Sequence, residues 1–126
     1  MGGDAETVSC TLSELRLSAA ADLLMRQATA AEARKLEVAV ALLGAPPLVL
    51  LDEPTRGLDL TSKHDMWAHM NTCMRAGSTM MLASTSVDEV EAVCQRVRQR
   101  DSFPSGRRNP LLVLGEGHTL RNRYAT

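Results

Sequence analysis

Two short apolar runs constrain what this chain can fold into more than any other feature. LVLL at Leu48–Leu51 lies between Pro46-Pro47 and the acids Asp52-Glu53, and TMMLA at Thr79–Ala83 follows Gly77. Each is too short to be a buried helix and is bounded by turn formers or charge, so each reads as a strand; the first reads as a central strand covered on both faces. Around them the periodicity changes. RKLEVAVALL, Arg34–Leu43, is apolar on nearly every side, as in a helix buried against a sheet, and Gly44 with Pro46-Pro47 ends it. After a capping box at Ser62-Lys63-His64-Asp65, Met66, Trp67, Met70, Cys73 and Met74 recur at helical spacing until Gly77. Ser86 to Glu89 cap a third helix, whose Val90, Val93, Cys94 and Val97 form one stripe. Strand, helix, strand, helix in succession implies parallel pairing through crossovers, hence an α/β layered fold with parallel strands flanked by helices.

The flanks are less regular. Thr11-Leu12-Ser13-Glu14 reads as a capping box, and the leucines and alanines up to Met25 suggest one or two short helices broken near Ser18, a small N-terminal helical region. RQRDSFPSGRRN, Arg98–Asn109, reads as a polar loop; PLLVL after it offers a short final strand, and His118 to Tyr124 a terminal helix.

Charge and cysteine usage exclude several classes. With a formal net charge of -1 and only 2% aromatic residues, the chain offers no electrostatic or stacking case for nucleic acid. Basic residues do gather late: Arg96, Arg98, Arg100, Arg107, Arg108, Arg121 and Arg123 are opposed after Val97 only by Asp101 and Glu116. That tail suits either peripheral contact with an anionic membrane surface or ordinary solvation. Cys10, Cys73 and Cys94 are odd in number, widely spaced and free of any CxxC, so they suggest neither a disulfide framework nor a zinc site. His64 and His69, five residues apart, diverge on a helix, which argues against a metal there. No apolar run approaches the roughly 20 residues of a membrane helix. The expectation is a soluble or peripheral chain.

The acids after the first strand are the chemical signal. A hydrophobic strand ending in Asp52-Glu53 sets two carboxylates at the carboxyl edge of a parallel sheet, where open α/β folds bind their ligands. In nucleotide hydrolysis one such acid holds Mg²⁺ beside the phosphates, and a second orients or deprotonates the attacking water. Those are the roles Asp52 and Glu53 fit; the plainer reading is an acidic turn after a core strand.

The longer string LLDEPTRGLD, Leu50–Asp59, resembles the Walker B motif and D-loop of ATP-binding cassette (ABC) ATPases, the domains that power ABC transporters. RKLEVAVALLGAPPLVLLDEPTRGLDLTSKHDMW looks like the stretch from the signature helix through the D-loop in the A subfamily, whose transporters mostly move lipids. SVDEVEAVCQRV resembles the segment after the switch histidine, and LVLGEGHTLRNRYA the end of the nucleotide domain. The resemblance implies a partial P-loop NTPase (RecA-like) fold. It divides the chain into residues 1–33, a remnant of the helical subdomain with a degenerate signature motif; 34–97, the Walker B and D-loop half of the ATPase core; and 98–126, a basic loop with a C-terminal strand and helix. It also implies ATP and Mg²⁺ as cofactors, ATP hydrolysis coupled to lipid export, and partners in transporter transmembrane domains or a second nucleotide-binding domain. The implied location is the cytoplasmic side of a membrane within a transporter, or the soluble cytoplasm otherwise.

On the same resemblance the signature Ser-Gly-Gly-Gln falls on Thr29-Ala30-Ala31-Glu32. Thr29 keeps a hydroxyl to approach a γ-phosphate, while Ala30 and Ala31 add Cβ atoms where glycine permits close backbone approach. Thr29 to Glu32 is equally a plain helix-start capping box. Asp59 matches the aspartate that touches the partner domain, and reads equally as a turn residue. The switch histidine aligns with Thr85, which cannot supply the same protonation chemistry.

No G-x-x-x-x-G-K-[ST] occurs in this sequence. In the family that phosphate-cradling loop, the adenine-stacking aromatic and the Q-loop glutamine all precede the matched region. Charge-assisted hydrogen bonds contribute roughly 1.5–3 kcal/mol each, so three lost phosphate contacts forfeit about 5–9 kcal/mol. A millimolar ligand has only about 4 kcal/mol in all. The expectation is therefore an incomplete, catalytically incompetent cassette, marginally folded because its sheet lacks partners. The alternative is a non-catalytic remnant or interaction module that docks on a complete transporter.

Overall fold

A computed structural model describes residues 2–98 and 111–115. Among these described residues four α-helices, α1 (Gly2–Glu14), α2 (Ala30–Leu42), α3 (Leu60–Arg75) and α4 (Val87–Val93), accompany four strands, β1 (Leu48–Asp52), β2 (Thr79–Ser84), β3 (Arg96–Arg98) and β4 (Leu111–Gly115). The strands form one sheet in the order β1-β2-β4-β3. β1 and β2 are parallel, Leu48 opposite Thr79 through Asp52 opposite Ala83, with α3 as the crossover. β4 runs antiparallel to β2 and to β3, so the sheet is mixed.

The final strand expected from PLLVL thus forms, one residue later, while β3 escaped the sequence reading because three residues carry no periodicity. The terminal helix expected at His118 to Tyr124 lies outside the described residues, as does most of the loop expected at Arg98 to Asn109.

β1 corrects the expectation of a central, doubly covered strand. Among the described strands it is the sheet's edge, and its burial alternates: Val49 and Leu51 are buried, whereas Leu48 and Leu50 are 56% and 67% exposed. A run of four apolar residues looks like two buried faces, yet here only one face has cover. α2 is similarly one-sided. Lys35, Val38, Ala39 and Leu42 are buried and Val40 is exposed, contrary to the all-round burial expected of RKLEVAVALL.

The covered face holds the core. Met66, Trp67, Met70 and Met74 of α3 join Val49 and Leu51 of β1, Met80 and Leu82 of β2, Val90 and Val93 of α4 and Val38 and Leu42 of α2. The methionine stripe is therefore core: Met66, Met70 and Met74 are all buried, their unbranched side chains filling the irregular space between sheet and helix. Cys94 caps α4 and Val97 sits on β3, so the stripe expected on a single helix continues through a strand.

The N-terminal segment departs most. α1 ends at Glu14 instead of starting near Thr11, and Arg16 follows in the left-handed region at φ 55°. The amides of Arg16 and Leu17 donate to the carbonyls of Ser13 and Leu12, a Schellman closure with arginine in the position glycine usually takes. Leu15 and Leu17 are consequently buried without being helical. The buried Lys35 ammonium donates to the Leu15 carbonyl (3.1 Å), satisfying a helix-end oxygen that has no partner within α1. Glu14 meets His69 Nδ1 of α3 at 2.5 Å and Arg16 meets Asp65 at 3.0 Å, fastening α1 to α3.

Candidate active site

The β1 and β2 strands run side by side and deliver Asp52-Glu53 and Ser84-Thr85 to the same carboxyl edge of the sheet. Asp52 is exposed there, opposite Ala83. The chain leaves β1 sharply: Glu53 has φ 46°, a left-handed conformation that costs a non-glycine residue energy and persists only where its surroundings fix it. Its amide donates to the Ala83 carbonyl at 2.8 Å, and its carbonyl accepts from the Arg56 amide at 3.1 Å. Its side chain, half-buried, accepts a hydrogen bond through Oε1 from the Thr85 amide at 2.9 Å. Glu53 and Thr85, thirty-two residues apart, are thus brought together, and it is the Thr85 backbone that makes the contact. Gly57 closes the following turn at φ 79°, which a side chain would strain.

Thr29, Ala30 and Ala31 open α2. The Thr29 hydroxyl accepts from the Glu32 amide (3.2 Å), and the Glu32 carboxylate accepts from both the Thr29 amide (2.7 Å) and hydroxyl (2.9 Å). The capping box is complete, so the Thr29 and Glu32 amides, two of the helix's first donors, are met by the chain itself. These Thr29 bonds, the amide first, hold the Glu32 carboxyl below the usual range. Asp59 caps α3 by accepting from the Ser62 amide at 3.2 Å, and its carboxyl is held low, by the Ser62 side chain and then the Ser62 amide. The helix therefore starts three residues earlier than a cap at Ser62 implied, and Ser62 is the capped residue rather than the cap. The Lys35 ammonium acts on Glu32 and Asp59 alike. Among the described residues, no hydrogen bond or ion pair joins Thr29, Ala30, Ala31 or Asp59 to Asp52 or Glu53.

Behind the edge lies a feature that the sequence reading missed. Glu89 is 1% exposed, and its carboxyl group accepts from the Thr55 hydroxyl (2.6 Å), the Trp67 indole N–H (3.3 Å) and the Ser84 hydroxyl. Its amide donates to the Ser86 hydroxyl (3.3 Å), so the helix-cap reading of Ser86 holds for the backbone while the side chain turns inward. Burial, followed by the charge of Glu89, pushes the Cys94 thiol up to about 12. One signal was available: Trp67 stands in an apolar stripe, and a buried indole N–H needs an acceptor.

Comparison with known proteins bears on this arrangement. The retinal-specific phospholipid-transporting ATPase ABCA4 of Homo sapiens is 40% identical over 87 residues, 69% of this chain, and the phospholipid-transporting ATPase ABCA7 of Homo sapiens is 39% identical over 121 residues, 96% of it. MJ1267, an ATP-binding cassette of an ABC transporter, superposes on 68% of the chain with a TM-score of 0.56 at 24% identity. This chain's homologues include A-subfamily ATP-binding cassette proteins, matched over most of its length. Its fold is that of an ABC ATPase domain, a P-loop NTPase fold, of which it spans 34% in MJ1267. It spans only 4% of ABCA4 and 5% of ABCA7. A bacterial relative, the Nod factor export ATP-binding protein I of Cupriavidus metallidurans, is 36% identical over 93 residues, 31% of its own length. No protein-family model matches the chain. Among the described residues, no helix is long and apolar enough to cross a membrane, and no three or more His, Cys, Asp or Glu gather to hold a metal ion.

Proposed function

We propose that this chain carries the Walker B and D-loop half of an A-subfamily-type ATPase site, and that its inherited activity is ATP hydrolysis coupled to lipid transport. The observation that supports it is the Glu53 carboxylate, seated beside Asp52 at the carboxyl edge and aligned by the Thr85 amide. Glu53 would polarise the attacking water. Asp52 would hold Mg²⁺ through a water molecule, and the ion would neutralise charge on the phosphates. Two carboxylates suit that ion, which takes one or two of them and completes its shell with water and phosphate oxygens. Thr29, Ala30 and Ala31 would face the γ-phosphate of nucleotide bound elsewhere, and for the Thr29 hydroxyl to donate there it would have to leave the Glu32 carboxylate. Asp59 would contact a second nucleotide-binding domain, and transmembrane domains of a transporter would be the other partner, on the cytoplasmic side of a membrane. Residues 34–97 would form the core half, 1–33 the helical remnant and 98–126 the closing segment.

The test is reconstitution. Mixed with a separately made polypeptide carrying the glycine-rich loop of an A-subfamily cassette, the chain should support phosphate release from ATP, and Glu53→Gln should abolish it. No release from a mixture that demonstrably associates would sink the catalytic reading. The closed capping box favours a second reading, a non-catalytic module that docks on a complete transporter, with Glu32 lying where anionic phosphate would approach. Under that reading the chain captures a full-length A-subfamily protein in a pull-down and leaves its ATPase rate insensitive to Glu53→Gln.

A further inference from the structure

We propose that Glu89 is a positioning residue for the carboxylate edge, holding Glu53 and Thr85 in register from beneath. The proposal rests on the reading of Glu53 as the water-orienting carboxylate. Three elements reach Glu89 with one donor each: Thr55 from the turn after β1, Ser84 from the end of β2 and Trp67 from α3. Thr55 stands two residues after Glu53, and Ser84 immediately precedes Thr85. The buried carboxyl group therefore fastens both sides of the Glu53–Thr85 contact, through the hydroxyls of two residues that are themselves 2% and 0% exposed. Ser84 is fixed further, because its hydroxyl also accepts from the Ser86 amide at 3.1 Å.

Energetics separates this from mere packing. A buried carboxyl group costs desolvation that an apolar residue would avoid, and Glu89 has no cationic partner among the described residues. A lone leucine here would leave three buried donors without an acceptor, so cohesion alone would be served better only by apolar residues at all four positions. What three directed acceptor contacts add is orientation: they define where the Pro54-Thr55 turn sits against the end of β2, and so over-determine the left-handed Glu53 backbone. Trp67 holds the same group to α3 but adjoins neither Glu53 nor Thr85, which supplies an internal control.

The experiment follows amide hydrogen exchange by NMR on the full chain. Glu89→Met should speed exchange at the Thr85 amide by about tenfold, the loss of one anchored hydrogen bond, beyond any change at the Met70 and Met74 amides of α3. Glu89→Gln should restore most of the protection, because its carbonyl still accepts and the Ser84 hydroxyl can turn to accept from its amide. Thr55→Val and Ser84→Ala each leave two donors in place and keep the fold should Glu89→Met not fold; each should loosen Thr85 selectively. Trp67→Phe should lower global protection without singling out Thr85. Thr85 exchange that merely tracks α3 in every variant, or stays unchanged in folded Thr55→Val and Ser84→Ala, overturns the proposal. No nucleotide enters the measurement, so a failure to hydrolyse ATP in the reconstituted mixture leaves this result standing on its own.

Discussion

Leu50 and Leu51 are neighbours on opposite faces of β1, and they should behave in opposite ways when truncated. Leu50 is 67% exposed and Leu51 9%. Full burial of a leucine contributes about 1.5–3 kcal/mol, so the third of Leu50 that is covered contributes about 0.5–1 kcal/mol. Leu50→Thr gives up that amount and regains part of it from the strand preference of a β-branched residue, leaving stability within about 0.5 kcal/mol of the original. Leu51→Ala opens a cavity in the packed core and should cost about 2–4 kcal/mol. Urea unfolding followed by circular dichroism reads the difference: with a slope of about 1–2 kcal/mol per M, Leu51→Ala moves the midpoint down by at least about 1 M while Leu50→Thr barely moves it. Equal losses at the two positions would refute the reasoning, because they require something to cover the outer face of β1. When a polypeptide bearing the glycine-rich loop is bound, the asymmetry should shrink, and Leu50→Thr should then weaken association.

Two further outcomes follow from the local electrostatics. Glu32 and Asp59 both have folded-state pKa values below the ordinary 4.5 and 3.8, so the stability their caps confer is fully present above those values and is lost as pH falls through the lower, folded ones. An acid titration of the melting temperature should show this loss below about pH 4.5, and Thr29→Ala should flatten the Glu32 part of it. The three thiols should label in the order Cys10, Cys73, Cys94. Cys10 is exposed, Cys73 half-buried and its thiol raised chiefly by desolvation, and Cys94 buried with its thiol at about 12. Mass spectrometry of alkylated protein at pH 8 checks the order, and rapid labelling of Cys94 in the folded chain would contradict it.

Where residues announced their backbone roles, the sequence was readable. Thr29–Glu32 formed the capping box its spacing implied, Ser86 capped α4, and the apolar runs became parallel strands joined by α3. The carboxylates arrived at the edge because a strand that ends in acids must leave the core there. What stayed hidden depended on partners distant in sequence. The exposure of Leu48 and Leu50 reflects which elements are present to cover them, and no local pattern encodes that. Glu89 looked like an ordinary helix-cap glutamate because its three donors come from positions 55, 67 and 84. The early end of α1 turned on an arginine in a left-handed closure, a position where glycine would have been the visible signal.

A carboxylate edge without a phosphate cradle is the claim on which the rest depends, and nucleotide affinity tests it most directly. ATP with Mg²⁺ titrated calorimetrically into the 126-residue chain should give no saturable heat below about millimolar concentration, since the missing contacts exceed the roughly 4 kcal/mol that a millimolar ligand possesses. A saturating isotherm with micromolar affinity, lost in Asp52→Asn, would contradict it.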